Sequence, residues 1–502
     1  MGDAEHTDDA ATLKALVKVY AAENERLHKR LQELVHENAS LRGNGPQEQL
    51  ELELARLQEQ MNGLQKRLFG DSSERRSDGQ KTSDESRPKP KQKGHGHREQ
   101  PDLERQARII ELELDERRCG ACKGRLQPMQ GMTEDSELIT VVKRKFVVQK
   151  ICRQKYSCRC GFGLHTAPAP IKHIPGGRYS LDFAIEVALN KYVEHLPLDR
   201  QRRKMVREHL YVETQTLWDQ IDALADWLEL AYKALREYIL GADVIGADET
   251  WWRLMQKKAT KKWWAWTLTT HDASWFGIAP SRSAKTASKY VGDYEGIIVC
   301  DAYRAYETLA KARPELKLAN CWSHVRRKFI DAEAHYPQCK EAIALIDELF
   351  AIERRTLTPQ SLEGEQKHLN GELRRRLREQ EAVPILDRLH EWAIQQTGLP
   401  KSSLRKAIGY MLGHWTALNR FLDDPDVPIH NNRSERALRG PVLGRKNHYG
   451  SRSRRGTQVA AIFYTLLDTA IINGLDPADY LKRAATAAIE ENRAVLPIPT
   501  RP

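Results

Sequence analysis

The chain of 502 residues lacks the features of a secreted or membrane-spanning protein. Its eight cysteines are too few for a disulfide scaffold of this length, and in a reducing compartment clustered cysteines indicate metal binding instead. No apolar run approaches the length of a membrane span, and the first residues lack the pattern of a signal peptide. We therefore expect a cytoplasmic protein with no membrane partner.

Positive charge is what the chain has in excess. Its 80 Lys and Arg outnumber 69 Asp and Glu, which gives a net charge of +11. Both signs are abundant, so the chain is not a simple basic tail, and the excess suits a polyanionic partner such as DNA. The length is too great for one compact core and predicts several domains.

A 4-3 apolar repeat over residues 13–41 predicts a coiled coil within the segment 10–69. Leucine recurs on one seam position, and Asn24 and Asn38 share the other, where a buried Asn fixes register and oligomeric state. A second repeat follows over residues 50–68. We expect a homodimer or higher homo-oligomer through this segment. The alternative is an amphipathic helix that packs on its own domain.

A flexible linker and a metal-binding domain are predicted next. Residues 70–106 are polar and rich in Pro, Gly, Ser and Lys, and this linker either contacts DNA phosphates or is simply solvated. Within residues 107–172, C-x-x-C spacing lets two thiolates reach one tetrahedral ion, so a zinc-ribbon-like β domain is predicted. The expected ligands of a structural Zn²⁺ are Cys119, Cys122, Cys158 and Cys160.

Other interpretations of this domain stay open. Cys152 and His165 are possible substitute ligands, and a domain that has lost its metal is also compatible with the sequence. An alternating stretch from Leu138 to Cys158 predicts a strand, and Cys152 falls on its apolar face, where packing is the commoner role.

Residues 173–241 show apolar positions at helical spacing and predict a helical region. Two segments between residues 195 and 225 have the arrangement of a helix-turn-helix, with Val212 to Ile221 as the helix that would enter the major groove of DNA. Ordinary helix packing explains the same pattern equally well.

From residue 243 onward, the apolar pattern changes from helical spacing to short runs that predict strands. Two of them, residues 243–248 and 297–301, each end in an acid, Asp248 and Asp301. Adjacent strand ends would hold two carboxylates within reach of a divalent cation, and Mg²⁺ prefers such hard oxygen ligands. A third carboxylate from a helix would complete a site for two Mg²⁺ or Mn²⁺ ions, of the kind that serves phosphodiester transfer.

Glu435 is the best candidate for the third carboxylate. It lies in the polar segment 430–439, which opens what is predicted to be a helix, and arginines surround it. An acid among arginines is also common as a surface ion pair. Glu249 follows Asp248 directly, but successive strand residues face opposite sides, so we do not expect it at the metal.

Several motifs, in the right order along essentially the whole chain, resemble the insertion-sequence 66 family of DDE transposases. Five lie around the candidate acids: Gly246–Thr250, Val299–Tyr306, Asn320–Phe329, Asn431–Arg436 and Gly444–Asn447. Three more lie elsewhere: Leu68–Arg75, Lys191–Arg200 and Asn473–Leu481. Many independent motifs in register are far more specific than any one of them.

The resemblance implies a multidomain α+β protein with an RNase H-like α/β catalytic domain. Its first part would be residues 242–330 and its last part 426–456, with a helical insertion at 331–425 and a C-terminal helical segment at 457–502. The resemblance also assigns the DDE roles to Asp248, Asp301 and Glu435.

Further site residues are predicted around these acids. His324, in a C-x-x-H pair with Cys321, is expected to have an accessory active-site role that positions a phosphate or a strand, whereas core packing is expected for Cys321. Charged donors beside a metal site suit phosphates, and solvated surface charge is the alternative. The predicted DNA contacts are Arg326, Arg327, Arg436, Arg439, Arg445 and Lys446.

The sequence departs from the family's usual pattern in two places. His430 stands before the paired asparagines, where the family usually has Asp. The pair Cys158 and Cys160 is one residue closer together than the usual second C-x-x-C. The first departure leaves Glu435 in place, and the second demands a tighter turn around the metal.

The function expected from these features is that of a bacterial transposase acting at the nucleoid. It would bind the terminal inverted repeats through its N-terminal modules, and then cut and join the transposon ends and target in double-stranded DNA. The family implies accessory proteins encoded by the same element. The alternative is a catalytically silent DNA-binding protein derived from a transposase.

Overall fold

The computed structural model describes most of the chain beyond residue 144. The described residues are 145–157, 164–256, 259–356, 364–397 and 401–499. Three predictions lie outside them and stay predictions: the coiled coil at 10–69, the linker at 70–106, and the zinc ligands Cys119, Cys122, Cys158 and Cys160. Within the described ranges, no helix is both long enough and apolar enough to cross a membrane.

A small hairpin opens the described part. Strands β1 (Lys155–Ser157) and β2 (Leu164–Thr166) pair in antiparallel fashion. The longer strand predicted from Leu138 is wrong for residues 145–154, which form no strand. Cys152 is exposed, so the prediction that it packs is also wrong. An alternating run needs a partner to become a strand, and here only three residues of each strand pair.

Three helices follow: α1 (Leu181–Tyr192), α2 (Leu198–Arg207) and α3 (Thr214–Leu240). The predicted groove-entering helix is therefore only the beginning of α3, which is 27 residues long. Leu217 and Ile221, four residues apart on that helix, are fully buried and face the core. Packing therefore accounts for the apolar spacing seen in the sequence.

The centre of the described part is a mixed sheet of five strands. They are β3 (Val244–Gln256), β4 (Ala259–Thr269), β5 (Ser274–Ala279), β6 (Ile297–Cys300) and β7 (Lys317–Asn320). Their order across the sheet is β5-β4-β3-β6-β7. The first three pair in antiparallel fashion, whereas β6 runs parallel to both β3 and β7.

Strand β3 is longer than the sequence predicts. The expected strand ended at Asp248, but the structure continues it to Gln256, because its second half pairs residue by residue with β4. Aromatic pairs such as Trp251 with Trp264 strengthen that hairpin. Asp248 therefore lies inside a strand, whereas Asp301 directly follows β6, as predicted.

Helices surround the sheet. Two connect its strands: α4 (Ala284–Val291) and α5 (Arg304–Ala312). A helical region then runs through α6 (Trp322–Glu333), α7 (Cys339–Arg354), α8 (Gly364–Leu377), a π-turn (Arg378–Ala382), α9 (Val383–Gln395), α10 (Ser403–Gly413), α11 (Trp415–Leu418) and a 3₁₀ turn (Asn419–Leu422). The last four are α12 (Asn432–Ala437), α13 (Arg439–His448), α14 (Arg454–Ile472) and α15 (Pro477–Glu491).

Two hydrophobic clusters hold these elements together. The first joins β3, β4 and β5 with α1, α3, α14 and α15, and the second joins β6 and β7 with α6 to α11. Helix α14 is attached to β5 by buried threonines, because the hydroxyl oxygens of Thr465 and Thr469 accept the amides of Phe276 and Ser274. The chain crosses from the second cluster to the first between Ile429 and Ala437, which places α12 at their boundary.

Candidate active site

Two of the predicted acids are brought to one place by the sheet. Strands β3 and β6 are parallel neighbours in which Gly246 is level with Val299. Asp248 and Asp301 each follow these partners by two residues. Parallel strands keep the same direction, so equal steps carry the two carboxylates to the same edge of the β3–β6 pair.

Helix α12 is fastened to this part of the sheet, and it carries Glu435. The side-chain amide of Asn431 donates to the carbonyl oxygen of Ala247 at 2.9 Å, and the hydroxyls of Ser434 and Thr269 are hydrogen-bonded at 2.9 Å. Gly246 makes this approach possible, since a Cβ there would lie 2.6 Å from the Thr269 hydroxyl and still closer to that of Ser434. Helix α12 therefore occupies the space that a side chain at position 246 of β3 would need.

The three acids act on one another electrostatically. Burial raises the pKa of Asp248 well above its ordinary value of 3.8, and the negative charges of Glu249, Asp301 and Glu435 raise it further. One contact works the other way, because the amide of Glu249 donates to Asp248 Oδ1 at 2.8 Å. Like charges held together in this way are costly unless a cation neutralises them.

Two carboxylate oxygens at the site lack hydrogen-bond partners. Asp301 Oδ1 and Glu435 Oε1 are shielded from solvent, and no described residue donates to either. Unsatisfied buried acceptors are rare in folded proteins and need an explanation. A divalent cation such as Mg²⁺ prefers hard oxygen donors, so the chemistry of these carboxylates fits that ion.

His324 lies beside the third acid. Its Nε2 is 3.7 Å from Glu435 Oε1. Burial lowers the pKa of His324, while the negative charges of Glu435 and Asp301 oppose that effect. Cys321 is fully buried, and its sulfur accepts the backbone amide of Asn431 at 3.2 Å. The C-x-x-H pair thus lies in direct contact with the segment that carries Glu435.

Glu249 occupies a different environment from Asp248. It is buried, and it pairs with Arg282 at 2.7 Å and with the hydroxyl of Tyr306 at 2.9 Å. Burial raises the pKa of Glu249, and Asp301 adds to the rise, while Arg282 opposes it. This carboxylate already accepts hydrogen bonds, in contrast to Asp301 Oδ1 and Glu435 Oε1, which accept none from the described residues.

The predicted DNA contacts divide into two groups. Arg326 forms a two-pronged ion pair with Asp347, at 2.6 and 2.9 Å, so its donors are used within the protein. Arg445 is buried and stacks on the ring of Trp251, 3.7 Å from the ring centre. The other four are exposed: Arg327, Arg436, Arg439 and Lys446.

Sequence reasoning assigned no role to Gly246 or Asn431, although both lie within the motifs it used. An isolated glycine in an apolar strand often marks a close backbone approach, and that signal was present. No comparable signal exists for Asn431, because its partner is a carbonyl oxygen 184 residues away. His430, the departure from the family's pattern, stacks on Phe350 with ring centres 6.2 Å apart.

Comparisons with known proteins bear on this site. The transposase IS66 family matches residues 176–459, more than half of the chain, including all three acids. The uncharacterized protein y4jD of Sinorhizobium fredii is 31% identical over 409 residues, which cover 76% of this chain and 77% of that protein. The uncharacterized protein y4hP of the same organism is 28% identical, covering 79% of this chain and 75% of its own length.

A solved structure is also similar, namely the Mos1 transposase paired-end complex with left transposon end. It is 13% identical, covers 50% of this chain and 79% of that chain, and gives a TM-score of 0.12, which is too low to support any conclusion. The family match and the y4jD relationship are sufficient by themselves. This chain belongs to the IS66 family of transposases.

Proposed function

We propose that this protein binds transposon ends in double-stranded DNA, cleaves them, and joins them to target DNA by a metal-dependent DDE mechanism. The observation that carries the proposal is the register of β3 and β6, which brings Asp248 and Asp301 to the same edge of that strand pair, together with the charges of Asp301 and Glu435, which add to the raised pKa of Asp248. Membership in a transposase family supports the reaction class. An alternative without catalysis gives no reason for unpaired acceptors at this place.

Asp248, Asp301 and Glu435 would hold two Mg²⁺ or Mn²⁺ ions. When bound, such ions polarise the phosphodiester and stabilise the negative charge of the attacking and leaving oxygens. The fit depends on the donor set, because carboxylate oxygens suit hard cations and two of them accept no hydrogen bond from the described residues.

The chain's own part in this reaction is positioning. The amide of Glu249 orients the Asp248 carboxylate, and the bonds from Asn431 and Ser434 keep Glu435 close to the sheet. Rigid placement matters because phosphodiester transfer depends on alignment and charge neutralisation more than on covalent help from side chains.

We further propose that the catalytic domain is RNase H-like. Three antiparallel strands followed by two parallel ones, in the order β5-β4-β3-β6-β7, support this assignment. The helices from α7 to α11 would then be an insertion between the second and third acids. Their own hydrophobic cluster with α6 supports the idea of a packed unit rather than a long loop.

Contacts to DNA phosphates are proposed for the exposed basic residues near the third acid. Arg436, Arg439 and Lys446 lie on α12 and α13, and Arg327 lies on α6 one turn from His324. His324 would add a donor beside the scissile phosphate. These contacts fix the position of DNA without reading its sequence.

The test compares wild type with Asp301→Asn on transposon-end DNA in Mg²⁺ or Mn²⁺, with the element's accessory proteins added. Wild type should cleave and transfer strands, and the variant should be slower on the order of 100-fold or more, since it lacks one carboxylate of the site. Asp293→Asn, an exposed acid on the loop after α4, is the matched control and should retain activity.

Equal activity of wild type and Asp301→Asn would remove Asp301 from the site. DNA binding by wild type with no cleavage under any of these conditions would instead favour the catalytically silent DNA-binding protein.

A further inference from the structure

A second group of ligand atoms also includes Glu435. Single ligand atoms of Cys321, His324 and Glu435 are all within 4.8 Å of one another. This grouping includes one sulfur, one imidazole nitrogen and one carboxylate oxygen. It is therefore chemically unlike the all-oxygen set of Asp248, Asp301 and Glu435.

The C-x-x-H pair lies at the beginning of α6. Cys321 is the residue that precedes the first turn, and His324 lies three residues later on the same face of the helix. Burial raises the pKa of the Cys321 thiol, and the backbone amide of Asn431, 3.2 Å from the sulfur, opposes that rise. A cation bound here would therefore have to displace the thiol proton, as metal binding to cysteine does in general.

The geometry is close to what a zinc ion needs. With metal–ligand bonds of about 2.0–2.3 Å, tetrahedral ligands lie about 3.3–3.8 Å apart. The ligand atoms here lie within 4.8 Å of one another, so the group would have to contract by at most about 1.5 Å. His324 Nδ1 has no hydrogen-bond partner among the described residues. The side chains of His324 and Glu435 are 25% and 32% exposed, which gives an ion a route of entry.

We propose that Cys321, His324 and Glu435 form a separate binding site for a borderline-soft divalent cation, of the Zn²⁺ class, that competes with the catalytic centre for Glu435. Sulfur and imidazole ligands select Zn²⁺ over Mg²⁺, whereas the three-acid set favours Mg²⁺. The competition rests on the proposed function, but the existence of the site does not. Zinc bound here holds the Glu435 carboxylate on the side of α6 and lowers metal-dependent cleavage.

The site is tested first by metal content, which needs no enzymatic activity. Full-length wild type, Cys321→Ser and Cys339→Ser are loaded with Zn²⁺, dialysed, and analysed for zinc per chain. Cys339 is another fully buried thiol, on α7, and serves as the matched control. We expect Cys321→Ser to hold about one zinc fewer than the other two.

Two further variants sharpen this measurement. His324→Gln should also lose that zinc, so the result does not depend on how well Cys321→Ser folds. Asp248→Asn should retain it, because Asp248 is not one of the ligands. With Co²⁺ as the probe, the thiolate-to-metal charge-transfer band of wild type should decrease in Cys321→Ser and stay unchanged in Cys339→Ser.

The competition is tested by adding Zn²⁺ to cleavage reactions in Mg²⁺. Wild type should lose at least about 10-fold of its zinc-free rate, and Cys321→Ser, compared with its own zinc-free rate, should lose much less. Equal zinc content in wild type, Cys321→Ser and His324→Gln would overturn the site. If Cys321→Ser loses this zinc but is still inhibited by Zn²⁺ as strongly as wild type, the claim that the two metal sites share Glu435 is overturned. A protein that shows no cleavage but the expected difference in zinc would contradict only the proposed function.

Discussion

Asp248 shows at the scale of one residue how a proposed catalytic centre conflicts with stability. Its carboxylate is removed from water and lies near the negative charges of Glu249, Asp301 and Glu435, so its pKa is raised. A folded state that holds a proton more tightly than the unfolded chain loses stability as the pH rises above the ordinary value of 3.8. The ionised Asp248 carboxylate therefore destabilises the folded state whenever no cation is bound.

The variant Asp248→Asn should accordingly stabilise the metal-free protein. We expect its Tm in EDTA at neutral pH to exceed that of wild type by about 2–4 °C, the effect of about 1 kcal/mol in a large domain. The difference should shrink as the pH falls and vanish below about 3.8, where the wild-type carboxyl is protonated in both states. Thermal denaturation across that pH range measures it.

Asp243→Asn is the control for this effect, since Asp243 is an exposed acid immediately before β3. Mg²⁺ should raise the Tm of wild type and narrow the gap to Asp248→Asn. A Tm for Asp248→Asn equal to or below that of wild type in EDTA would show that Asp248 is not strained.

Gly246 sets how closely α12 approaches the sheet. The variant Gly246→Ala places a Cβ against the hydroxyls of Ser434 and Thr269, so α12 must move outward with Glu435. We expect cleavage to fall by on the order of 100-fold, because a displacement of about 1 Å at an active site has effects of that size. Cleavage rates at a temperature well below the Tm of the variant provide the measurement.

Gly440→Ala is the matched control, since a Cβ at that position of α13 meets nothing within 4 Å. Should Gly246→Ala cleave as fast as Gly440→Ala, the close docking of α12 would be irrelevant to activity.

How far the sequence predicts the site differs from residue to residue. The position of Asp301 could be predicted, because an acid directly after a short buried strand lies at the end of that strand. The purpose of Gly246 and Asn431 could not be derived, since both depend on contacts with segments that lie far away in the sequence. Local patterns indicate which residues carry chemistry, whereas the supporting contacts appear only after folding.

At the scale of elements, the same limit explains the error in β3. The apolar window around Ile245 is a good strand signal, but the strand's length is decided by its partner. Beyond Asp248 the pairing with β4 keeps the backbone extended for eight further residues, up to Gln256. The α3 helix shows the same dependence, because the segment predicted to enter the DNA groove is the start of a longer helix with one buried face.

Arg378 is the residue that ties the helical region to the chain entering α12. It is 1% exposed and pairs with both oxygens of Glu353, at 2.8 and 3.0 Å. Its guanidinium also donates to the carbonyl oxygens of Phe421, Asp424 and Val427. Those carbonyls belong to the segment that leads directly to His430 and the third acid.

Replacing Arg378 should therefore destabilise the folded state. Arg378→Leu removes the donor from three carbonyls and leaves the Glu353 carboxylate with its 3.7 Å ion pair to Arg374, so we expect the free energy of unfolding to fall by about 3–5 kcal/mol. Arg355→Ala is the control, because Arg355 pairs with Glu381 at the surface, with side chains 53% and 41% exposed, and such a pair contributes about 0–1 kcal/mol. Equal shifts of Tm in the two variants would contradict the anchoring role of Arg378.

At the scale of the whole molecule, the net charge of +11 predicts that binding to DNA depends strongly on salt. Arg436→Ala with Lys446→Ala removes two proposed phosphate contacts, so the slope of log affinity against log salt should decrease by about 2. Affinity measured on end DNA at several salt concentrations gives that slope.

A double variant with the same loss of charge separates local contacts from net charge. Lys233→Ala with Lys482→Ala serves this purpose, since these exposed lysines lie on α3 and α15. An equal decrease in both double variants would mean that only the total charge matters and that Arg436 and Lys446 are not phosphate contacts.

The family and the mixed α/β class of the described domain could be predicted from the sequence, because ordered motifs and strand-like runs are local properties. The strand order could not, since it depends on which buried surfaces find each other during folding. The parallel pairing of β3 with β6 brings Asp248 and Asp301 to the same edge of that strand pair. The crossing between the two hydrophobic clusters brings Glu435 close enough for its charge to raise the pKa of Asp248.

The most direct test of this convergence is anomalous diffraction from crystals of the protein grown with Mn²⁺. We expect Mn²⁺ peaks at Asp248, Asp301 and Glu435, within about 2.5 Å of their carboxylate oxygens. If Mn²⁺ is bound elsewhere in the crystal but no peak contacts these three carboxylates, the central claim is contradicted.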